Sequence, residues 1–244
     1  MNLVLLNNTA AHQLVPATTA AAVHLLKIIK TDIGKTFWCG VKNGARGLAT
    51  VKNISDAGIE IDIDWEKAVP AAAPAVCLLL GLSRPQTLKK VLATSAELGL
   101  QKIIIFPTDK TDPSYLQSSI WREGEDEINA IFCKAAEQNC STAVPECLRA
   151  DSLEEALSFV PVGIVFDIYE NGVPANEIDF GVPAVFAIGS ERGWSSRERE
   201  IFKNRNWRFA HLGERVLRVE TAAAFAHALA LASIKNWRNH QVLQ

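Results

Sequence analysis

From residue 75 onward the chain alternates between short apolar runs and longer segments with helical spacing. Residues 75–80 form one such run and residues 102–107, Lys-Ile-Ile-Ile-Phe-Pro, another. An apolar run with no alternation is what a strand buried on both faces requires. Residues 162–168, 185–189 and 209–212 read as further strands. Between them, residues 84–98 place Leu88, Val91, Leu92 and Leu98 on one helical face, and residues 115–139 read as mostly helical around Ile120, Ile128, Ile131 and Phe132. Residues 196–204 and 220–237 read as two more helices. Strand and helix in turn predict an α/β domain with a parallel sheet covered by helices. Such a sheet binds its ligands at the carboxyl ends of its strands.

The first 70 residues follow a different rule. Residues 35–41, 47–53 and 58–65 read as short strands separated by turn signals at Lys42-Asn43-Gly44 and Asp56-Ala57-Gly58. Ile59, Ile61 and Ile63 alternate with Glu60, Asp62 and Asp64, the period of a half-buried strand. A small antiparallel barrel is expected here. Residues 68–74 carry two prolines and no charge, which suits a linker. The expected division is therefore a β-barrel over 1–70 and an α/β domain over 75–244.

Charge and cysteine usage exclude several classes. Lys and Arg number 25 against 27 Asp and Glu, so the chain as a whole is no strongly basic nucleic-acid binder, although one face can still be basic. The five cysteines are widely spaced and contain no C-x-x-C pair, which argues against a disulfide framework or a zinc site. No metal is expected. The N-terminal segment lacks the basic-then-apolar order of a signal peptide. The longest run free of charged residues and histidine, residues 68–83, holds Pro70 and Pro74 and is too short to span a bilayer. These features predict a cytoplasmic protein with no membrane partner.

Two segments at strand ends carry the chemistry. In Ala187-Ile-Gly-Ser-Glu-Arg-Gly-Trp-Ser195, Gly189 and Gly193 allow a sharp turn and close approach of a ligand. Ser195-Ser-Arg-Glu198 is a capping box, so a helix starts directly behind the loop. Alone, this segment reads equally well as a plain strand-to-helix turn, since it is neither a dinucleotide fingerprint nor a Walker loop. The second segment, Leu212-Gly-Glu-Arg-Val-Leu-Arg-Val-Glu-Thr-Ala222, leads from a strand end into an Ala-rich helix. Glu220 falls in that helix's first turn, where the dipole favours a negative charge. Arg218 and Glu220 could equally form a surface ion pair.

Taken together, in this order and near the C-terminus, the two segments resemble the I-G-P-E-G-G and L-G-x-R-I-L-R-x-E-T-A motifs of the 16S ribosomal RNA uridine-N3 methyltransferases of the SPOUT superfamily. Ala96-Glu-Leu-Gly99 resembles the family's E-L-G segment, and Ala135-Ala-Glu-Gln138 followed by Val144-Pro-Glu146 its A-x-E-Q…V-P-E segment. His24 to Gly34 is similar to a stretch of the family's N-terminal PUA-like barrel. The resemblance covers nearly the whole chain.

What this resemblance implies is specific. The fold is a knotted parallel-sheet methyltransferase domain behind a PUA-like barrel that binds RNA. The cofactor is S-adenosyl-L-methionine, held around Gly189, Ser190, Glu191, Gly193, Leu212, Gly213, Val216, Leu217, Arg218, Thr221 and Ala222. The reaction is methylation of N3 of a uridine in 16S ribosomal RNA, with Glu220 as candidate base and Arg218 orienting the acceptor. Lys30, Arg84, Arg192 and Arg197 are the candidate RNA contacts. The partners are ribosomal RNA or the small ribosomal subunit and a second copy in a homodimer. The chain departs from the family at Ser190 (Pro), Arg192 (Gly), Thr94 (Lys), Ser141 (Arg) and Lys30 (Arg). From Glu191 to Arg218 eight basic residues stand against four acidic ones, a strip suited to RNA. Two alternatives stand beside this reading: a non-catalytic RNA-binding paralogue of the same fold, and a methyltransferase of this fold acting on another RNA.

Overall fold

The computed structural model describes residues 3–67 and 73–234. Most of the expected linker, and the end of the last expected helix at residues 235–237, lie outside them. The chain forms two compact units, residues 1–72 with 133–144, and residues 73–132 with 145–244.

The first unit runs β1 (Leu3–Leu6), β2 (His12–Pro16), α1 (Ala20–Val23) with a π-helical continuation over His24–Ile29, then β3 (Thr36–Val41), β4 (Arg46–Ser55) and β5 (Gly58–Trp65). These strands form one sheet in the order β1-β3-β4-β5-β2. The alternation read in β5 is real: Ile59, Ile61 and Ile63 are buried, beside Val15, Cys39 and Val51. The expected antiparallel barrel needs correction, because β1 pairs with β3 in parallel and no ladder joins β1 to β2 among the described residues. β1 carries four apolar residues with no alternation, and β2 keeps only Val15 fully buried, so neither announces itself by period. The segment 133–144 belongs to this unit through side-chain bonds. The Thr142 hydroxyl donates to the Gly44 carbonyl, and the Val144 N–H donates to Asn43 Oδ1, each at 2.8 Å.

The second unit contains β6 (Val76–Gly81), α2 (Pro85–Glu97), β7 (Lys102–Phe106), α3 (Ser119–Arg122), the first part of α4 (Glu125–Gln138, whose residues from 133 on fall in the first unit), β8 (Glu146–Arg149), α5 (Leu153–Ala156), β9 (Ile164–Phe166), β10 (Val173–Pro174), β11 (Ala184–Ile188), α6 (Ser196–Asn204), β12 (Arg208–His211) and α7 (Val219–Ser233). Its seven strands form one sheet in the order β10-β12-β9-β11-β6-β7-β8, with every pair parallel. Every residue of β6, β9 and β11 is buried, which is why their sequences are unbroken apolar runs. The helix expected over 115–139 is three pieces, a 3-10 turn at Pro113–Gln117, then α3, then α4. At the second break, between α3 and α4, the chain turns so tightly at Gly124 that a Cβ there would come 2.3 Å from the Ile120 carbonyl oxygen.

β6 leads to β7 and β8 on one side of the sheet, while β11, β9 and β12 lie on the other. The direction of winding therefore reverses at β6 and β11. The carboxyl ends of β6, β9, β11 and β12 converge there, where an open α/β sheet leaves a crevice.

Candidate active site

A cavity of about 780 Å³ opens at these strand ends. Phe166 to Tyr169 line it from the end of β9, Ile188 to Trp194 from the end of β11, and His211, Leu212 and Arg215 to Glu220 from the segment joining β12 to α7. Arg84, Gln86, Thr87 and Lys90 at the start of α2 complete the wall with Tyr115 and Ala222.

The loop after β11 is fixed from below. Trp194 is fully buried, stacks on Phe106 with centroids 6.2 Å apart, and meets Phe202 at 4.9 Å. Its indole N–H donates to the Phe166 carbonyl at 3.0 Å, tying the ends of β9 and β11 together. Ser190 is buried and its hydroxyl shares a 3.0 Å hydrogen bond with that of Thr108. Gly189 is tight, since a Cβ there would sit 3.2 Å from the Gly193 Cα. Gly193 and Gly213 are required for another reason than space. Their φ values are +63° and +99°, and nothing lies within 4 Å of a Cβ built on either.

Behind the loop the expected capping box is present. The Ser195 hydroxyl accepts from the Glu198 N–H, and the Glu198 carboxylate accepts from the Ser195 N–H. Glu198 is fully buried, and its second oxygen accepts from the Asp109 N–H at 2.9 Å. The Glu191 carboxylate accepts from the Arg84 N–H at 2.8 Å, at the N-terminus of α2, where the dipole favours a negative charge.

The residues proposed from sequence fall as follows. Gly189, Ser190, Glu191, Gly193, Leu212, Val216, Leu217, Arg218 and Ala222 line the cavity together; Gly213 and Thr221 are not among the lining residues. Glu220 lines it too and has the Lys90 ammonium 3.5 Å away. The ion pair considered between Arg218 and Glu220 is absent among the described residues, because Arg218 is the N-cap residue and Glu220 turns to Lys90. Arg84 and Arg192 line the cavity. Arg197 does not: its guanidinium is held by Asp109 and by Glu154, each at 2.6 Å. That pairing, with the Ser195 hydroxyl, holds the Asp109 carboxyl below its usual range. Lys30 lies in the first unit, at φ +53° where the π-helical stretch ends.

The basic strip is smaller than its residue count. Arg197, Arg199 and Lys203 are paired with carboxylates, and Arg208 donates to the Asp179 carbonyl. Arg192, Arg205, Arg215 and Arg218 have no carboxylate partner among the described residues. Three of those four line the cavity, so the positive charge left over concentrates at its mouth.

Sequence reasoning missed the wall supplied by β9. Asp167 is buried and is held by Arg199 Nε at 2.7 Å, while Tyr169 stands 73% exposed beside it. A signal was available, since Asp167-Ile-Tyr169 directly follows an apolar run of the kind whose carboxyl end binds ligands. It also missed Gly81, where a Cβ would come 2.6 Å from the Ser190 nitrogen.

Known proteins resemble this chain in sequence and in fold. The chain is 26% identical over 224 residues to the ribosomal RNA small subunit methyltransferase E of Treponema pallidum, covering 88% of this chain and 84% of that protein. It is 26% identical over 241 residues to the ribosomal RNA small subunit methyltransferase E 1 of Borreliella burgdorferi, covering 97% and 100%. The crystal structure of a ribosomal RNA small subunit methyltransferase E from Neisseria gonorrhoeae, bound to S-adenosyl methionine, superposes with a TM-score of 0.78 at 21% identity, covering 95% of this chain and 97% of that one. At that identity the likeness concerns the fold. The family described as RNA methyltransferase domain matches residues 71–231, well over half of the chain and most of the unit that holds the cavity, and to that family the chain belongs.

Proposed function

We propose that this protein methylates N3 of a uridine in 16S ribosomal RNA, using S-adenosyl-L-methionine bound in the cavity at the ends of β9, β11 and β12. The observation that carries this reading is the convergence of the two motif loops on one cavity in a chain of the RNA methyltransferase family. The residues present fit the cofactor. Gly189 lets its loop close tightly on Gly193, and residues 189–193 line the cavity together with Leu212 and residues 215–218. Among the described residues no backbone hydrogen bond engages Arg215, Val216 or Leu217, which leaves their amides and carbonyls for the edge of an adenine. Gly213 and Thr221 support the same segment from outside the wall. When bound, the cofactor supplies a methyl group on a positively charged sulfur, already activated for displacement.

The chain's own residues have two tasks. The first is alignment, because a displacement of this kind needs donor and acceptor in line. Arg218, with no carboxylate partner, donates to a carbonyl or phosphate of the acceptor and fixes its orientation. The second is removal of the N3 proton as the N3–carbon bond forms. Glu220 takes that proton; the Lys90 ammonium stands 3.5 Å from its carboxylate. Arg84 and Arg192 receive backbone phosphates at the mouth, and Lys30 is a separate candidate RNA contact on the first unit. Arg197 would have to exchange its two carboxylates for a phosphate to join them. The finer points of the reading are a trefoil knot at these loops, a PUA-like first unit, a cytoplasmic location and a two-fold homodimer. The dimer draws support from α7, where Phe225 is 47% exposed on a helix that buries Val219, three alanines and His227.

Calorimetry with S-adenosyl-L-methionine, paired with a methyl-transfer assay on small-subunit RNA, tests this reading. Glu220→Gln is expected to keep cofactor affinity within about twofold while lowering kcat on the order of 100-fold. A wild type that binds RNA but not the cofactor would establish the non-catalytic alternative instead.

A further inference from the structure

Among the described residues of the second unit Tyr169 is the most exposed aromatic, 73% accessible, yet its position is built rather than free. Its backbone N–H donates to Asp167 Oδ1 at 2.6 Å. Asp167 is itself buried and receives Arg199 Nε at 2.7 Å. The Arg199 guanidinium then lies over the Tyr169 ring, 5.3 Å from its centroid, with a side chain only 13% exposed. One face of the phenol therefore rests on a fixed, planar cation, and the rest of the ring is open. Tyr169 also lines the cavity, as do Arg84, Arg192, Arg215 and Arg218.

A flat, supported aromatic face beside unpaired arginines matches a nucleotide: the ring accepts the base and the guanidinium groups accept phosphate. The cofactor is the poorer occupant, because a ring this open to solvent suits a base arriving from outside better than a ligand enclosed by the loops. We propose that Tyr169 is a stacking platform for a nucleobase turned out of the acceptor RNA strand. This rests on the reading that the cavity serves RNA methylation and adds to it the residue that receives the unstacked base. Stacking on a protein aromatic is sequence-tolerant, so the platform captures a single-stranded base and leaves its identity to hydrogen-bonding groups deeper in the cavity.

The test uses the full chain and two single-stranded RNA probes, an oligouridylate and the same oligomer with one abasic nucleotide at its centre. Binding is read by fluorescence anisotropy, and S-adenosyl-L-methionine affinity by calorimetry, for wild type, Tyr169→Ala and Tyr169→Phe. Tyr169→Ala should weaken oligouridylate binding about tenfold, Tyr169→Phe should stay within about twofold, and both variants should keep cofactor affinity. On the abasic probe the gap between wild type and Tyr169→Ala should shrink. Equal oligouridylate binding by wild type and Tyr169→Ala overturns the platform while leaving the methyltransferase reading intact. A tenfold loss of cofactor affinity in Tyr169→Ala assigns the ring to the cofactor and also overturns it. A wild type that binds neither cofactor nor RNA removes the underlying reading and the platform with it.

Discussion

His227 is fully buried on α7, 6.2 Å from the Phe186 ring, and neither ring nitrogen has a hydrogen-bond partner among the described residues. Burial holds its pKa down at about 4. The sign of the consequence is fixed by linkage. The unfolded chain binds this proton at about pH 6.5 and the folded chain does not until about pH 4, so stability falls as pH drops through that window and is flat above it. Chemical denaturation of wild type and His227→Leu at pH 7 and pH 5 is expected to open a gap of about 2 kcal/mol in favour of the variant on acidification. At pH 7 the leucine should also be no worse than neutral, because two unpaired buried nitrogens disappear. An equal loss in both proteins would assign the acid sensitivity to other groups. The sequence could not reveal this residue's burial, since a histidine in an Ala-rich helix reads the same whether it faces solvent or core. Gly193 and Gly213 were legible as glycines that matter, but their positive φ was not, because spacing alone cannot separate a backbone requirement from a close approach.

Among the elements, the strands buried on both faces were legible because a continuous apolar run has no other economical use: β6, β7 and β11 fall within a residue or two of where the runs predict them. α6 matched its expected span because its capping box marks the start and its polar face the remainder. The elements missed are short. β8, β10 and α5 hold four residues or fewer and carry no period that a reader could count. The capping box also joins fold to site, because Glu198 accepts N–H groups from Ser195 and Asp109 at once. Glu198→Ala should leave both part-buried amides without their partner, empty a fully buried side-chain site, and cost about 3 kcal/mol in a denaturation experiment. Ser195→Ala, which removes only the cap hydroxyl and its bond to Asp109, should cost about 1 kcal/mol. Equal costs for the two would mean that the carboxylate acts as a cap alone and does not link the loop after β7 to α6.

For the whole molecule, the parallel sheet of the second unit explains why the chemistry gathers where it does. Its winding reverses between β6 and β11, and the loops that leave the sheet on either side of the reversal supply every wall of the cavity except Tyr115 and the adjoining turns of α2 and α7. The first unit was legible in its three central strands and not in its edges, where β1 joins in parallel through residues far from it in sequence. The same arrangement sets the central claim, that a cavity at those strand ends directs a methyl group to uridine N3 in ribosomal RNA of the small subunit. The most direct measurement is mass spectrometry of nucleosides from that RNA after incubation with the purified protein and S-adenosyl-L-methionine carrying a labelled methyl group. The account predicts label in 3-methyluridine, and a large reduction of it with Glu220→Gln. Label confined to a ribose hydroxyl or to another base, or none at all from a wild type that binds the cofactor, would contradict it.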